Sequence, residues 1–333
     1  MTLYENLEFH NVAELYDDGG AGLRLQRVPE MVRRHLNERA QKRMLVAAGT
    51  EIRFLSSGDR VRITLSSNGS AELIPFYGPL QGSERILIPS EPTTLEIIRP
   101  QHAKRRLDDG TRSGFVFSPD VWRLTLRGPG VRYHGIEGEG LRPTTEDQVP
   151  RLRYLSYGTS ITEGQAASAG HLTYAAQAAW RLRADLINLG VAGAAWCEPE
   201  LADHIAERSD WDIATLELSV NMLGAGFSDE AFRERVSYML DRVARTHAGK
   251  PVACITIIPH FRDFADAAHT ERFRAILREV HRKLGLANTH LIEGPDLLSE
   301  PAGLTVDLLH PGDHGMIQMG ERLAAKLQPI LAG

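Results

Sequence analysis

Residues 152–162 read Leu152-Arg153-Tyr154-Leu155-Ser156-Tyr157-Gly158-Thr159-Ser160-Ile161-Thr162. A short apolar and aromatic run, Leu152–Tyr157, stops at a polar turn, and a helix-like stretch, His171–Arg183, comes after it. From here strands and helices alternate to the end of the sequence. Leu186–Leu189, Trp211–Leu218, Val252–Ile258 and Thr289–Ile292 have the apolar, β-branched character of strands. Between and after them, Glu198–Glu207, Asp229–Thr246, His269–Leu284 and His314–Leu331 have helical character. Val252–Ile258, bounded by Pro251 and Pro259, is the cleanest buried strand. Strand–helix alternation in short units builds a parallel sheet covered by helices, and five parallel strands are expected.

Working back towards the N-terminus, the grammar changes. Glu51–Leu55, Arg60–Leu65, Ala71–Phe76, Arg85–Ile88, Thr94–Ile98, Phe115–Phe117 and Val121–Leu126 are short β-rich runs. Turn clusters such as Ser56-Ser57-Gly58-Asp59 separate them. This pattern predicts a β-sandwich or jelly roll. Pro29–Arg43 is the exception, with room for one short helix whose mixed charges read as a solvated face. The glycines and prolines of Gly135–Pro150 mark the linker. Two domains are therefore expected: residues 1–145 all-β, and 146–333 α/β.

Composition narrows the function. A length of 333 residues accommodates two domains. With 38 Lys and Arg against 43 Asp and Glu, the net charge is −5, so the basic field that nucleic acid demands is missing. No apolar run reaches the roughly 18 residues of a transmembrane helix, and the opening MTLYENLEFHN has no signal-peptide core. The two cysteines, Cys197 and Cys254, form neither a C-x-x-C nor a zinc pattern and suit a reducing compartment. The expectation is a cytoplasmic protein without a nucleic-acid or membrane partner.

In open parallel sheets ligands bind beyond the carboxyl ends of the strands, so the site's chemistry is expected at those ends. The first carries Ser160, either a helix cap or a hydroxyl presented at the head of the sheet. The second carries Gly190 and Gly193, either a tight turn or an exposed N–H for an oxyanion. Asn221 follows the third, as a turn former or an amide donor. Glu217, inside that apolar run, has no evident role in the sequence. Near the C-terminus, Asp307 and His310 are spaced so that a carboxylate can hold an imidazole and leave its other nitrogen as a base. Metal binding by Asp307, His310, Asp313 and His314 competes, but Pro311-Gly312 breaks the helix that an i, i+4 histidine pair requires. His260 and Asp263 read as surface-loop residues, and Cys197 as a small buried thiol.

In this order, Ser160, Gly193, Asn221 and His310 resemble the four blocks that name the SGNH, or GDSL-type, hydrolases, over about residues 150–333. Thr159 stands where the family's Gly-Asp-Ser has its acid, and Met222 where Gly-x-Asn-Asp has its second acid. Similar variants occur in a subgroup that looks like acetylxylan esterases and related acyl-transferring esterases with an N-terminal β-sandwich. The resemblance implies a flavodoxin-like five-stranded parallel sheet flanked by helices, following a β-sandwich like a carbohydrate-binding module. It implies Ser160 as nucleophile, His310 as base and Asp307 as its orienting acid. Ser160 and Gly193 N–H groups and the Asn221 amide would form the oxyanion hole, with no metal or organic cofactor.

The function expected is serine carboxylester hydrolysis of short acyl groups, with a small acyl ester, such as an acetylated oligosaccharide, as substrate. Acyl transfer through the same acyl-enzyme and glycan binding without catalysis are the alternatives. Homo-oligomerisation through the sandwich is left open.

Overall fold

Five strands, β1 (Leu152–Gly158), β2 (Ala184–Gly190), β3 (Ile213–Glu217), β4 (Val252–Ile255) and β5 (Thr289–Ile292), form one parallel sheet ordered β2-β1-β3-β4-β5. Every residue of β3 and β4 is buried, which is why these strands read as apolar runs rather than as alternations. Two are shorter than the sequence predicts. Val252–Ile258 leaves the ladder at Ile255, where the Thr256 hydroxyl instead accepts from Gly294 N and the Ile257 carbonyl from Arg274 Nε. Trp211–Leu218 keeps only its centre.

The strand order reverses at β1, so the crevice expected at such a switch point opens beside the carboxyl end of β1. Register places the neighbouring strand ends level: Gly158 pairs with Gly190 and Tyr157 with Leu216. The C-terminal helix Asp313–Ala332 is brought to this sheet by packing. Its Met316, Met319, Leu323 and Leu327 share a buried cluster with Tyr174, Ala175, Ala178 and Leu182 of helix Tyr174–Leu182, and with Tyr154 and Ile161. Each fully buried Leu or Met is worth roughly 1.5–3 kcal/mol, so the segment just before Asp313 is anchored firmly.

The protein is described by a computed structural model covering residues 2–106 and 108–332. It divides into two units: the chain up to Glu30 with Lys42–Arg151, and Met31–Gln41 with everything from Leu152 onward. The first unit is a sandwich of a seven-stranded and a five-stranded antiparallel sheet. Phe9, Ile52, Phe54, Trp122 and Leu124 from one sheet share a core with Val61, Ile63, Leu65 and Tyr133 from the other.

Several expectations for this half need correction. Phe115–Phe117 is not a strand but the exit from helix Asp109–Ser113, which Asp108 caps by accepting from Thr111 N. Strands Thr2–Tyr4, Leu7–His10, Glu14–Tyr16 and Leu23–Gln26 were not foreseen, and Arg132–Gly138 occupies the front of the expected linker. Pro29–Arg43 holds two short helices, Glu30–Arg33 and Glu38–Arg43, instead of one. Nor is it simply a solvated face, since Leu36 and Ala40 are buried. Among the described residues no helix is long and apolar enough to cross a membrane.

Candidate active site

Beyond β1 the chain enters the short helix Ser160–Glu163, and Thr159 is its cap, accepting from Ile161 N at 3.3 Å. The capping reading of Ser160 is thereby overturned, because the neighbouring threonine does that work. The Ser160 hydroxyl instead meets His310 Nε2 at 2.8 Å. His310 Nδ1 lies 2.7 Å from Asp307 Oδ2. A carboxylate only accepts, so Nδ1 carries the proton and Nε2 presents its lone pair to the Ser160 O–H.

The loop carrying this pair is wound around Asp307. Its Oδ1 accepts from the Thr305 hydroxyl at 2.8 Å, Leu309 N at 2.9 Å and His310 N at 3.0 Å. Leu308 between them has a left-handed backbone, φ +52°, a conformation that costs a non-glycine residue energy and is common at functional loops. Burial pushes the Asp307 carboxyl up, but the bonds from the His310 ring, the two N–H groups and Thr305 outweigh it. The carboxyl is held well below the usual range, so Asp307 stays ionised opposite His310.

The turn after β2 has one conspicuous donor. Val191 N donates to the Gly158 carbonyl, Ala192 N to Glu163 Oε2, Ala194 N to the Val191 carbonyl and Ala195 N to Asn221 Oδ1. Trp196 N donates to the Ala194 carbonyl and Cys197 N to the Tyr157 hydroxyl. The N–H left without a partner among the described residues is that of Gly193, at φ +68°. Gly190 serves a different need, since a Cβ there would lie 2.2 Å from Glu163 N. Asn221 sits on the short helix Val220–Gly224, not on a turn. Its Oδ1 is occupied by Ala195 N at 3.2 Å, which turns Nδ2 into a free donor among the described residues. The N–H of Ser160, heading its own helix, has no intrahelical acceptor.

Glu217, unexplained in the sequence, lies under the Ser160 turn. Its Oε2 accepts from Thr159 N at 2.7 Å, the Thr159 hydroxyl at 2.6 Å and the Thr162 hydroxyl at 3.3 Å. Burial pushes this carboxyl up to about 7 despite those bonds, and Oε1 is buried with no partner among the described residues. A carboxyl reaching across from β3 thus holds Thr159, the residue at the position of the family's acid. Nothing in local spacing reveals this; only the pairing of β1 with β3 does.

The remaining sequence candidates lie elsewhere or are otherwise engaged. Asp313 Oδ1 accepts from Ser168 N at 2.7 Å, and among the described residues Asp307, His310, Asp313 and His314 do not gather as a metal-ligating group. His260 is buried, 1% exposed, rather than part of a surface loop. Its Nδ1 lies 3.1 Å from Asp263 Oδ2, and Arg274 Nη1 binds Asp263 Oδ1 at 2.6 Å. Cys197 is buried as expected, its thiol pushed up to about 12 by desolvation.

A serine, an imidazole and a carboxylate stand linked in series at the switch point of a 2-1-3-4-5 sheet, an arrangement suited to a GDSL, or SGNH, type of serine esterase. Residues 153–331 match the model of the GDSL-like lipase/acylhydrolase family, and the chain belongs to that family. Among solved structures it is similar to a salicylyl-acyltransferase from a tetracycline biosynthetic pathway, at 17% identity, TM-score 0.78, and 98% and 96% coverage of the two chains. It is also similar to a family two carbohydrate esterase from Clostridium thermocellum, in complex with cellohexaose, at 15% identity, TM-score 0.62 and coverages of 86% and 93%. An acetyl xylan esterase from Butyrivibrio proteoclasticus superposes at 9% identity, TM-score 0.62 and coverages of 99% and 96%. At these identities the likeness is one of fold. No curated protein matches the chain.

Proposed function

We propose that the protein is a serine carboxylester hydrolase that removes short, acetyl-like acyl groups from a carbohydrate or other polyol through a covalent acyl-enzyme. The observation that carries this reading is the unbroken hydrogen-bonded series from Ser160 Oγ through His310 to Asp307. Ser160 Oγ adds to the ester carbonyl carbon while its proton passes to His310 Nε2. Asp307 stabilises the imidazolium that forms. The oxyanion is received by the N–H groups of Ser160 and Gly193 and by Asn221 Nδ2. Collapse breaks the bond to the alcohol, which leaves with the proton from Nε2. Water then adds to the acyl-serine by the same proton exchange, releasing the acid and restoring Ser160.

The similar carbohydrate esterase folds support a sugar or polyol as the alcohol; the similar acyltransferase fold favours a second reading, in which a second alcohol replaces water. We place the protein in the cytoplasm, acting on acetylated oligosaccharides rather than intact polymer. The test is hydrolysis of p-nitrophenyl acetate, butyrate and octanoate by wild type and Ser160→Ala. Turnover that falls with chain length and is lost in the variant is expected. Equal rates in the two proteins would remove Ser160 from the chemistry. Added polyols divide the two readings: acyl-polyol products mark a transferase, and free acid alone a hydrolase.

A further inference from the structure

The segment Met31–Gln41 comes from the N-terminal part of the sequence but belongs to the unit that holds Ser160. Its attachment is specific. Asn37 N donates to Glu198 Oε1 at 2.6 Å, Asn37 Nδ2 approaches the Ala194 carbonyl at 3.4 Å, and Asn37 Oδ1 accepts from Ala40 N at 2.9 Å. Asn37 thus ties the start of helix Glu38–Arg43 to the turn after β2. Arg39, two residues on, lays its guanidinium against Gly193. A Cβ on Gly193 would stand 2.4 Å from Arg39 Cζ and Nη2 and 2.7 Å from Nε. The cation therefore packs on the α-carbon of the residue whose N–H is unoccupied.

Arg39 is exposed, and among the described residues no carboxylate or carbonyl is hydrogen-bonded or ion-paired to it. Several other arginines of the same unit are ion-paired, Arg274 with Asp263, Arg278 with Glu293 and Arg208 with Asp210; what sets Arg39 apart is its seat against Gly193. A guanidinium presents a planar fork of donors suited to carboxylate or phosphate. That of Arg39 lies on the Cβ side of Gly193, the residue whose N–H is unoccupied among the described residues.

We infer that Arg39 is a specificity-determining residue, and that the ester substrate carries an anionic group, carboxylate or phosphate, close to its scissile carbonyl. An acetylated sugar acid or sugar phosphate has this chemistry, as does an acyl group ending in a carboxylate. The inference rests on the ester-cleaving reading of the Ser160 site and deepens it.

Two pairs of esters test it. Acetoxyacetate against acetoxyacetamide places the charge on the alcohol side; 4-nitrophenyl hydrogen adipate against its methyl ester places it on the acyl side. For each pair the ratio of kcat/KM, anionic over neutral, is measured in wild type, Arg39→Met and Arg39→Lys. Wild type prefers the anion in at least one pair, Arg39→Met lowers that ratio at least fivefold, and Arg39→Lys retains part of it. No anionic preference in wild type, or a ratio that falls less than fivefold in Arg39→Met, overturns the inference. Calorimetric binding of the same esters to Ser160→Ala, with and without Arg39→Met, keeps the two readings separate. Loss of ester turnover in wild type would sink the hydrolase reading, whereas Arg39-dependent binding of the anionic ester alone would still uphold the role of Arg39.

Discussion

Glu217 and Thr159 are joined twice, the carboxyl oxygen Oε2 accepting from both the N–H at 2.7 Å and the hydroxyl at 2.6 Å of the residue that precedes Ser160. The turn that presents the serine is thus fastened from below by a group on the adjacent strand. Because Oε2 is filled by donors, the proton of the neutral carboxyl resides on Oε1.

That proton makes stability depend on pH. Glu217 holds its proton to about pH 7 in the folded protein, against an ordinary value of 4.5. Between these values the folded state binds a proton that the unfolded state has released, so stability falls as pH rises through the window. The total is on the order of 3 kcal/mol at about 1.36 kcal/mol per unit of separation. Denaturant midpoints of wild type and Glu217→Gln at pH 5 and pH 8 check this. The variant, permanently neutral, lacks this share of the decline; parallel declines would remove Glu217 as its source.

Asp307→Asn keeps an acceptor for the Thr305, Leu309 and His310 donors if its oxygen takes the Oδ1 place, but turns an NH2 towards His310 Nδ1. The imidazole must then adopt the other tautomer, with its proton facing Ser160 Oγ. A loss in kcat of about 10²–10⁴ is expected, with Tm little changed. Steady-state kinetics on a p-nitrophenyl ester gives the answer, and near-normal kcat would mean that Asp307 only shapes the loop.

Asn221→Ala removes the unpartnered Nδ2 together with the acceptor for Ala195 N. If Nδ2 meets the developing oxyanion, kcat falls by about 10²–10³ while KM moves little. A variant that raises KM alone would show that the amide binds the ground state instead.

Gly193→Ala introduces a Cβ at φ +68° and drives it into the Arg39 guanidinium. The left-handed backbone alone costs an alanine about 1–2 kcal/mol, and relief by re-aiming the N–H would lower kcat at least tenfold. Pairing it with Arg39→Ala clears the steric clash but not the backbone cost. Because the guanidinium is the exposed end of a flexible side chain and can swing aside cheaply, the double variant is expected to keep nearly the Tm of Gly193→Ala, set by the backbone cost.

The two thiols offer a control. Burial pushes Cys197 and Cys254 each up to about 12, so thiolate is scarce and shielded. Iodoacetamide at pH 8 is expected to leave both activity and mass unchanged, while a serine-directed organophosphate abolishes turnover. Inactivation by the thiol reagent would point to a more open structure around one of them.

The parallel sheet was legible because its central strands β3 and β4 are buried throughout and appear as apolar runs between long amphipathic helices. Asp229–Thr246 and Thr289–Ile292 begin and end where their patterns do. The opening strands were hidden for the opposite reason. In Leu7–His10 all four residues are buried, including Glu8 and His10, so the polar residues break the apolar run without marking an exposed face. Ser160, Gly193, Asn221, Asp307 and His310 could be picked out because each follows a strand or precedes the last helix. Glu217 and Arg39 could not, since their partners lie across a strand pairing and at the far end of a long excursion. Pairing and excursion are set by the fold as a whole, and no local spacing records them.

Ser160 and His310 are separated by 150 residues along the chain. At about 5–20 residues per second of synthesis, the serine is made roughly 8–30 s before the imidazole that would take its proton. Throughout that interval the nascent hydroxyl is an ordinary alcohol in a cell full of esters. The packing of helix Asp313–Ala332 against helix Tyr174–Leu182, which brings the His310 loop to Ser160, can form only after the whole parallel sheet has been made.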